Sequence, residues 1–303
     1  MARAPKLALP PKVQAWLMRT RTLVRDWVVR VFRKPWDVFV KICFGIGLAV
    51  LVVLFLTAGY VTVFFRSLPN VQKIGFENLK EIGRQRVVDR LENKQARYEW
   101  TPLRDVSREF LYSVVVSEDA SFFEHSGFNL EMMLSSMAEN IKEGKSAYGA
   151  STISQQVAKN LFLSNEKTYL RKIKEFFITQ RLENALKKNE IAELYLNVAE
   201  FGPDIFGVAA ASKHYFNTTP AKINAAQGAF IALMLPSPKR HYFSIFQNRN
   251  LTKAKLRRVE RVLRDMLYEE YLSETQYHRY SKYNYFPDVN LSSSRSPAGR
   301  SSR

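Results

Sequence analysis

From Ile42 to Phe65 the chain runs for 24 residues without a charge. A helix rises about 1.5 Å per residue, so this run can cross the ~30 Å hydrocarbon core of a bilayer. The apolar core of a cleaved signal peptide is shorter, roughly 7–15 residues, and gives way to small residues. This run ends instead in Val63-Phe64-Phe65-Arg66, so it reads as a retained membrane anchor. Arg25, Arg30, Arg33, Lys34 and Lys41 precede it, against Asp26 and Asp37. That basic flank places the N-terminal side in the cytoplasm and the rest of the chain outside.

Elsewhere the pattern is helical. Leu170, Ile173 and Phe177 follow helical spacing, as do Leu256, Val259, Leu263 and Met266 or Leu267. No run alternates as strands do, and no internal repeat is present. Residues 1–41 are basic and aromatic. Between Val13 and Phe32 apolar residues recur irregularly, with arginines in the gaps. Two readings stay open there: an amphipathic helix lying on anionic lipid, or a partly ordered basic leader. Residues 66–99 are highly charged, with few turn signals, and read as a stalk or entry helix. The expected organisation is a basic leader at 1–41, an anchor at 42–65, a stalk or entry segment at 66–99, one soluble domain at 100–287 and a disordered tail at 288–303. Ser, Arg, Pro and Gly dominate the end of that tail.

Composition narrows the partners. The formal net charge is +18, and 46% of the 303 residues are hydrophobic, enough for a real core. So basic a chain suits nucleic acid, an anionic membrane surface or an anionic substrate. Cys43 is the single cysteine and lies in the apolar run, which rules out an intramolecular disulfide.

Five segments carry candidate chemistry or its framework. In the first, Ser117-Glu118-Asp119-Ala120-Ser121-Phe122-Phe123-Glu124-His125-Ser126-Gly127-Phe128-Asn129 follows the apolar stretch Leu111 to Val116, expected as a buried helix. A carboxylate set against apolar walls has its charged form disfavoured and makes a better base near neutral pH. Taken alone, the segment reads more simply as a solvated helix end. In the second, from Gly149 to Leu163, Ser151 or Thr152 can cap a helix carrying Gln155, Gln156 and Lys159. Gln155 and Lys159, four apart, would pair an amide with an ammonium. In the third, Lys167, Arg171 and Glu175 are spaced i, i+4, i+8 and would share one face of a continuous helix. Two cations beside a carboxylate suit a pyrophosphate and a reacting hydroxyl better than a surface ion pair, because the acid lies on the less favourable side. The fourth, Asn197 to Gly207 with Ala209-Ala210-Ala211 and His214-Tyr215-Phe216, and the fifth, Ala232 to Pro238, read as structural.

In this order the five segments closely resemble the glycosyltransferase module of peptidoglycan synthases, found in bifunctional penicillin-binding proteins and, alone, in monofunctional biosynthetic transglycosylases. The resemblance covers about Trp100 to His241. Its most specific parts are the Glu-Asp-x-x-Phe-x-x-His-x-Gly pattern at 118–127 and Gly-Ala-Ser-Thr-Ile-Ser-Gln-Gln at 149–156. Size and the single anchor match the monofunctional branch. The resemblance implies a mainly α, lysozyme-like domain with a small membrane-facing jaw, preceded by one transmembrane helix. It implies Glu118 as general base and Glu175 as a second essential carboxylate. Lys159, Lys167 and Arg171 match cations that contact lipid pyrophosphates. Ser151, Thr152, Gln155 and Gln156 match a polar lining, and Asn160 and Lys172 join the substrate-binding candidates. Leu130 to Ala147, with Met132, Met133 and Met137, falls where the family has a mobile apolar segment near the lipid.

The implied reaction joins a growing glycan on undecaprenyl pyrophosphate, as donor, to lipid II, as acceptor, with inversion. No cofactor is obligatory. Glu175 would orient the cations or help to bind a divalent metal, magnesium or manganese. The expected setting is the outer face of a bacterial cytoplasmic membrane, with other wall-synthesis proteins as further partners. Asn129 stands where the family usually has Asp, Tyr148 for Arg or Gln, Asp204 for Gly and Gln227 for Glu; none removes a carboxylate or cation assigned to chemistry. Ser164-Asn165-Glu166-Lys167 fits the Ser-x-x-Lys of penicillin-binding acyl enzymes, but the Ser-Asp-Asn and Lys-Thr-Gly elements are missing, which excludes a transpeptidase. A lytic glycosidase would need no pyrophosphate clamp, and a non-catalytic scaffold would need neither Glu118 nor Glu175. Nucleic acid fits the charge but not a chain facing outward, and is not expected as a partner.

Overall fold

The computed structural model describes residues 10–32, 35–93, 98–129, 151–164, 166 and 168–287. These fall into two compact units that divide after Ser67.

The first unit holds two helices, α1 (Pro11–Phe32) and α2 (Pro35–Ser67). Among the described residues α2 supplies the one span long and apolar enough to cross a membrane, with a mean hydropathy of 2.7 in its most apolar window and none of that window buried by protein. Its threonine hydroxyls are satisfied within the helix: Thr57 donates to Val53 O at 2.7 Å and Thr62 to Ala58 O at 2.8 Å. A helix entering hydrocarbon needs that internal satisfaction, because lipid offers no replacement partner.

The second unit is built from helices α3 (Val71–Arg90), α4 (Arg108–Asp119), α5 (Ile153–Phe162), α6 (Tyr169–Ala185), α7 (Lys188–Val198), α8 (Gly207–Phe216), α9 (Ala225–Ala232), α10 (Lys253–Tyr268) and α11 (Glu274–Tyr280). A two-stranded antiparallel hairpin joins α7 to α8, with β1 at Glu200–Gly202 and β2 at Ile205–Phe206. Asp204 sits in its turn at φ 56°. Helix α4 packs against α9 and α10, while α3, α5, α6 and α7 pack on one another. The α4–α9 contact is close because α9 is mostly small residues. A Cβ on Gly228 would lie 2.6 Å from Ser113 Oγ. Phe110 and Val114 of α4 and Ile231 of α9 fill the space around that crossing, fully buried.

Of the two readings of 66–99, stalk or entry helix, the helix is found: α3 packs within this unit. Leu79, Gly83 and Val87 recur every fourth residue along α3 and are buried against neighbouring helices. The charged residues of α3 lie mostly on its other faces, which is why composition alone left a stalk open. Continuous helix through the third segment is not found: α6 starts at Tyr169, capped by Thr168, whose side chain accepts from Arg171 N at 3.2 Å. Lys167 lies ahead of that cap and outside the described residues, as do Leu130 to Ala147, Tyr148 and the tail from 288.

Candidate active site

Glu118 and Asp119 end α4, and the structure gives them different tasks. Asp119 is fully buried. Its carboxylate accepts from His125 Nε2 at 2.9 and 3.1 Å, and from Ile153 N at 3.0 Å. The amide of Gly127 donates to His125 Nδ1 at 3.1 Å. With Nδ1 accepting, the ring carries its proton on Nε2, aimed at Asp119. Ile153 opens α5, so Asp119 also neutralises the positive end of that helix. Thr152 then donates from Oγ1 to Gly127 O at 2.7 Å. These contacts weld the first motif to the second and hold the end of α4 against the start of α5.

The polar run at the start of α5 divides between framework and site. Thr152 and Gln155 are buried and form a capping box: Thr152 Oγ1 accepts from Gln155 N at 3.2 Å, and Gln155 Oε1 accepts from Thr152 N at 3.0 Å. The carbonyl oxygen of Gln155 thus serves the helix end. Gln156 turns the other way and donates from Nε2 to Glu118 Oε2 at 2.9 Å. Its own carbonyl accepts from the hydroxyl of buried Tyr195 at 3.3 Å, which fixes the direction of the amide.

Glu118 is half-buried. Burial raises its pKa above the ordinary carboxylate value, against the opposing pull of the Gln156 hydrogen bond and the charges of Arg258 and Lys159. The same burial, with the negative charge of Glu118 next, pushes the Tyr195 phenol well up, so it remains a neutral donor. The result is a carboxylate that is costly to ionise, yet held in one orientation.

Cations gather along α5 and α6. Glu175 is buried, and accepts from Arg171 at 2.9 Å and from Lys172. Lys172 also approaches Ser151 Oγ at 3.5 Å. Arg171 Nε is buried without a hydrogen-bond partner among the described residues. Lys159, half-buried, has its pKa lowered first by burial and then by Arg171, Arg90 and Lys172, against the opposing pull of Glu175. Positive charge is in surplus, and a buried donor is left over; both favour an anion. Two cations come from α3, where sequence motifs gave no warning. Arg90 donates to Asn160 O at 3.0 Å and Arg86 to Leu161 O at 2.9 Å. They tie off the carbonyl end of α5 just past Lys159. Their i, i+4 spacing beside the Leu79–Gly83–Val87 stripe was the signal that could have found them.

A divalent metal at Glu175 does not fit these residues. Its two oxygens already face Arg171 and Lys172, and among the described residues no three His, Cys, Asp or Glu side chains converge.

A family model described as transglycosylase matches residues 84–267. The chain belongs to the transglycosylase family. It is a glycosyltransferase, and its helical second unit is the lysozyme-like domain of that family. The match begins inside α3, in keeping with the packing of that helix. Among similar proteins is a biosynthetic peptidoglycan transglycosylase of Janthinobacterium sp. (strain Marseille), 40% identical over 172 residues, which are 57% of this chain and 72% of that protein. The enzyme of the same name from Chromobacterium violaceum is 41% identical over 167 residues, 55% of this chain and 72% of the relative. That of Cupriavidus metallidurans is 46% identical over 141 residues, 46% of this chain and 60% of the relative.

Proposed function

We propose that Glu118 is the general base of a reaction that polymerises lipid II into β-1,4-linked glycan strands. The enzyme is a peptidoglycan transglycosylase of cell-wall biosynthesis. The observation that carries it is the half-buried Glu118, held by Gln156 and lying within the field of the Lys159 cluster. In this reading Glu118 takes the proton from the 4-hydroxyl of the acceptor's N-acetylglucosamine. That oxygen bonds to the anomeric carbon of the donor's N-acetylmuramic acid as the bond to pyrophosphate breaks on the opposite face. The α-linked undecaprenyl pyrophosphate departs with the electron pair, leaving a β bond. Charge grows on the leaving group, and Lys159, Arg171 and Lys172 are already in place to receive it. Glu175 orients Arg171 and Lys172. Ser151 lines the approach beside Lys172, Asn160 shares the end of α5, and Lys167 is assigned to the pyrophosphates by its place in the motif. The test is purified protein with labelled lipid II in detergent: glycan ladders and released undecaprenyl pyrophosphate are expected. Intact lipid II after prolonged incubation with folded protein would sink the assignment.

A raised carboxylate pKa sets the pH dependence. The base works only when ionised, so kcat/KM should fall as pH drops through a value above the usual carboxylate range. Gln156→Leu removes the hydrogen bond that favours the ionised form. Its acidic limb should move to higher pH, with activity approaching wild type on the alkaline side. A pH–rate profile for each protein decides this; coincident limbs would separate Gln156 from the base.

The enzyme is also placed, in this reading, in the bacterial cytoplasmic membrane, with residues 1–41 inside and the catalytic unit on the outer face. A reporter that is active only in the cytoplasm should work when fused after residue 3 and fail after residue 302. The reverse pattern would remove access to outward-facing lipid II.

A further inference from the structure

Helix α1 is continuous from Pro11 to Phe32. At about 100° per residue its side chains sort into two sectors. Leu23, Trp16, Trp27, Val13, Val24, Leu17 and Val28 fall within an arc of about 140°. All seven are exposed, Trp16 at 64% and Trp27 at 65%. One polar residue, Thr20, interrupts that arc, and its hydroxyl donates to Trp16 O and Leu17 O, both at 3.0 Å, so the methyl is what faces outward. Cations edge the arc on both sides: Lys12, Arg19 and Arg30 along one border, Arg21 and Arg25 along the other. The helix carries five cations against one carboxylate, Asp26, which pairs with its neighbour Arg25 at 3.6 Å. Two residues separate α1 from the membrane-length helix α2.

We propose that α1 lies flat on anionic phospholipid, in the leaflet where α2 begins. Its apolar arc sinks among the acyl chains, and its flanking arginines meet the headgroup phosphates. An exposed apolar face would be costly in water, whereas an aqueous protein partner would not call for cations on both borders. Tryptophans are suited to the headgroup level, where one part of the ring system is apolar and the N–H finds a wet partner. The short link to α2 keeps the helix at that interface at all times. This surface is separate from the catalytic reading and does not depend on it.

The test uses the full-length chain in lipid nanodiscs, where both leaflets are open to solution. Cys43, the one cysteine, is replaced by serine, and single spin labels are placed at Leu17→Cys and Val24→Cys in the apolar arc and at Ala15→Cys and Thr22→Cys opposite. Collisions are read with oxygen, which enters the bilayer, and with a water-soluble nickel chelate. In mixed phosphatidylglycerol and phosphatidylcholine, labels at 17 and 24 should favour oxygen several-fold over labels at 15 and 22. That contrast should shrink in phosphatidylcholine alone, and shrink equally in the mixed lipid when Arg19, Arg21 and Arg25 are all changed to glutamine. Equal chelate access on both faces would mean a solvated leader. Labels at 17 and 24 shielded from both reagents would mean a protein partner. An unchanged contrast in neutral lipid would remove the anionic headgroup. Each of these three results overturns the proposal.

Discussion

Glu118→Gln is expected to reduce polymerisation by roughly a hundredfold or more, the scale of losing a positioned base, while making the folded protein more heat-stable. The two effects have one origin. Burial raises the folded-state pKa of Glu118 above its unfolded value, so the native state holds that proton more tightly than the unfolded chain does. Stability from this group is therefore greatest at low pH and falls as pH rises from the ordinary carboxylate value through the raised one. Near neutral pH the ionised carboxylate costs the fold free energy, and a neutral amide of the same shape does not. Glutamine can still meet Gln156 through its carbonyl. Thermal melts and lipid II turnover on the same preparations check both halves. Near wild-type turnover would remove Glu118 from the chemistry. A lowered melting temperature would show that its charge supports the fold, as that of a structural carboxylate would.

Lys159→Ala should lose turnover strongly and bind a pyrophosphate-containing donor mimic about 10–100-fold more weakly, as expected for a lost charged hydrogen bond of about 1.5–3 kcal/mol. The fold should survive. The folded-state pKa of Lys159 lies below its free value, because burial and then neighbouring cations disfavour the ammonium. Folding thus favours the neutral amine, and stability from this group rises with pH through the lowered value towards the free one. At neutral pH the charged lysine is held against that gradient. Lys159→Met, which keeps the aliphatic bulk, should be at least as stable as wild type and as inactive as the alanine variant. Lys159→Arg should rescue only part of the activity, since a planar guanidinium replaces a compact ammonium. Raised salt should narrow the affinity gap where the site is open to solvent. Calorimetric titration of wild type and Lys159→Ala with the mimic decides the matter: equal affinities would make these cations structural.

The sequence by itself determined the elements whose signal is local. An uncharged run from Ile42 to Phe65 has one economical home, and α2 extends across it. Helical spacing in Leu256, Val259, Leu263 and Met266 matched the buried side of α10. The order of motif residues gave the family, because long patterns of specific side chains survive without any geometry. What the sequence did not separate was polar residues of one type in one motif. Gln155 and Gln156 are neighbours, yet one closes a helix cap and the other reaches Glu118. Helical geometry turns successive side chains by about 100°, and only the packing of α5 decides which of the two looks into the core. Asp119 and Glu118 divide in the same way at the end of α4. The partners of Arg86 and Arg90 were equally out of reach, although the spacing of the two arginines marks a shared helix face. They act on carbonyls some 75 and 70 positions away in the chain, and no local pattern encodes a partner at that distance. Tertiary structure alone decided between stalk and entry helix by packing α3 into the domain, placed its cations at the end of α5, and set the burial that raises one pKa and lowers another, because desolvation depends on neighbours that only folding supplies.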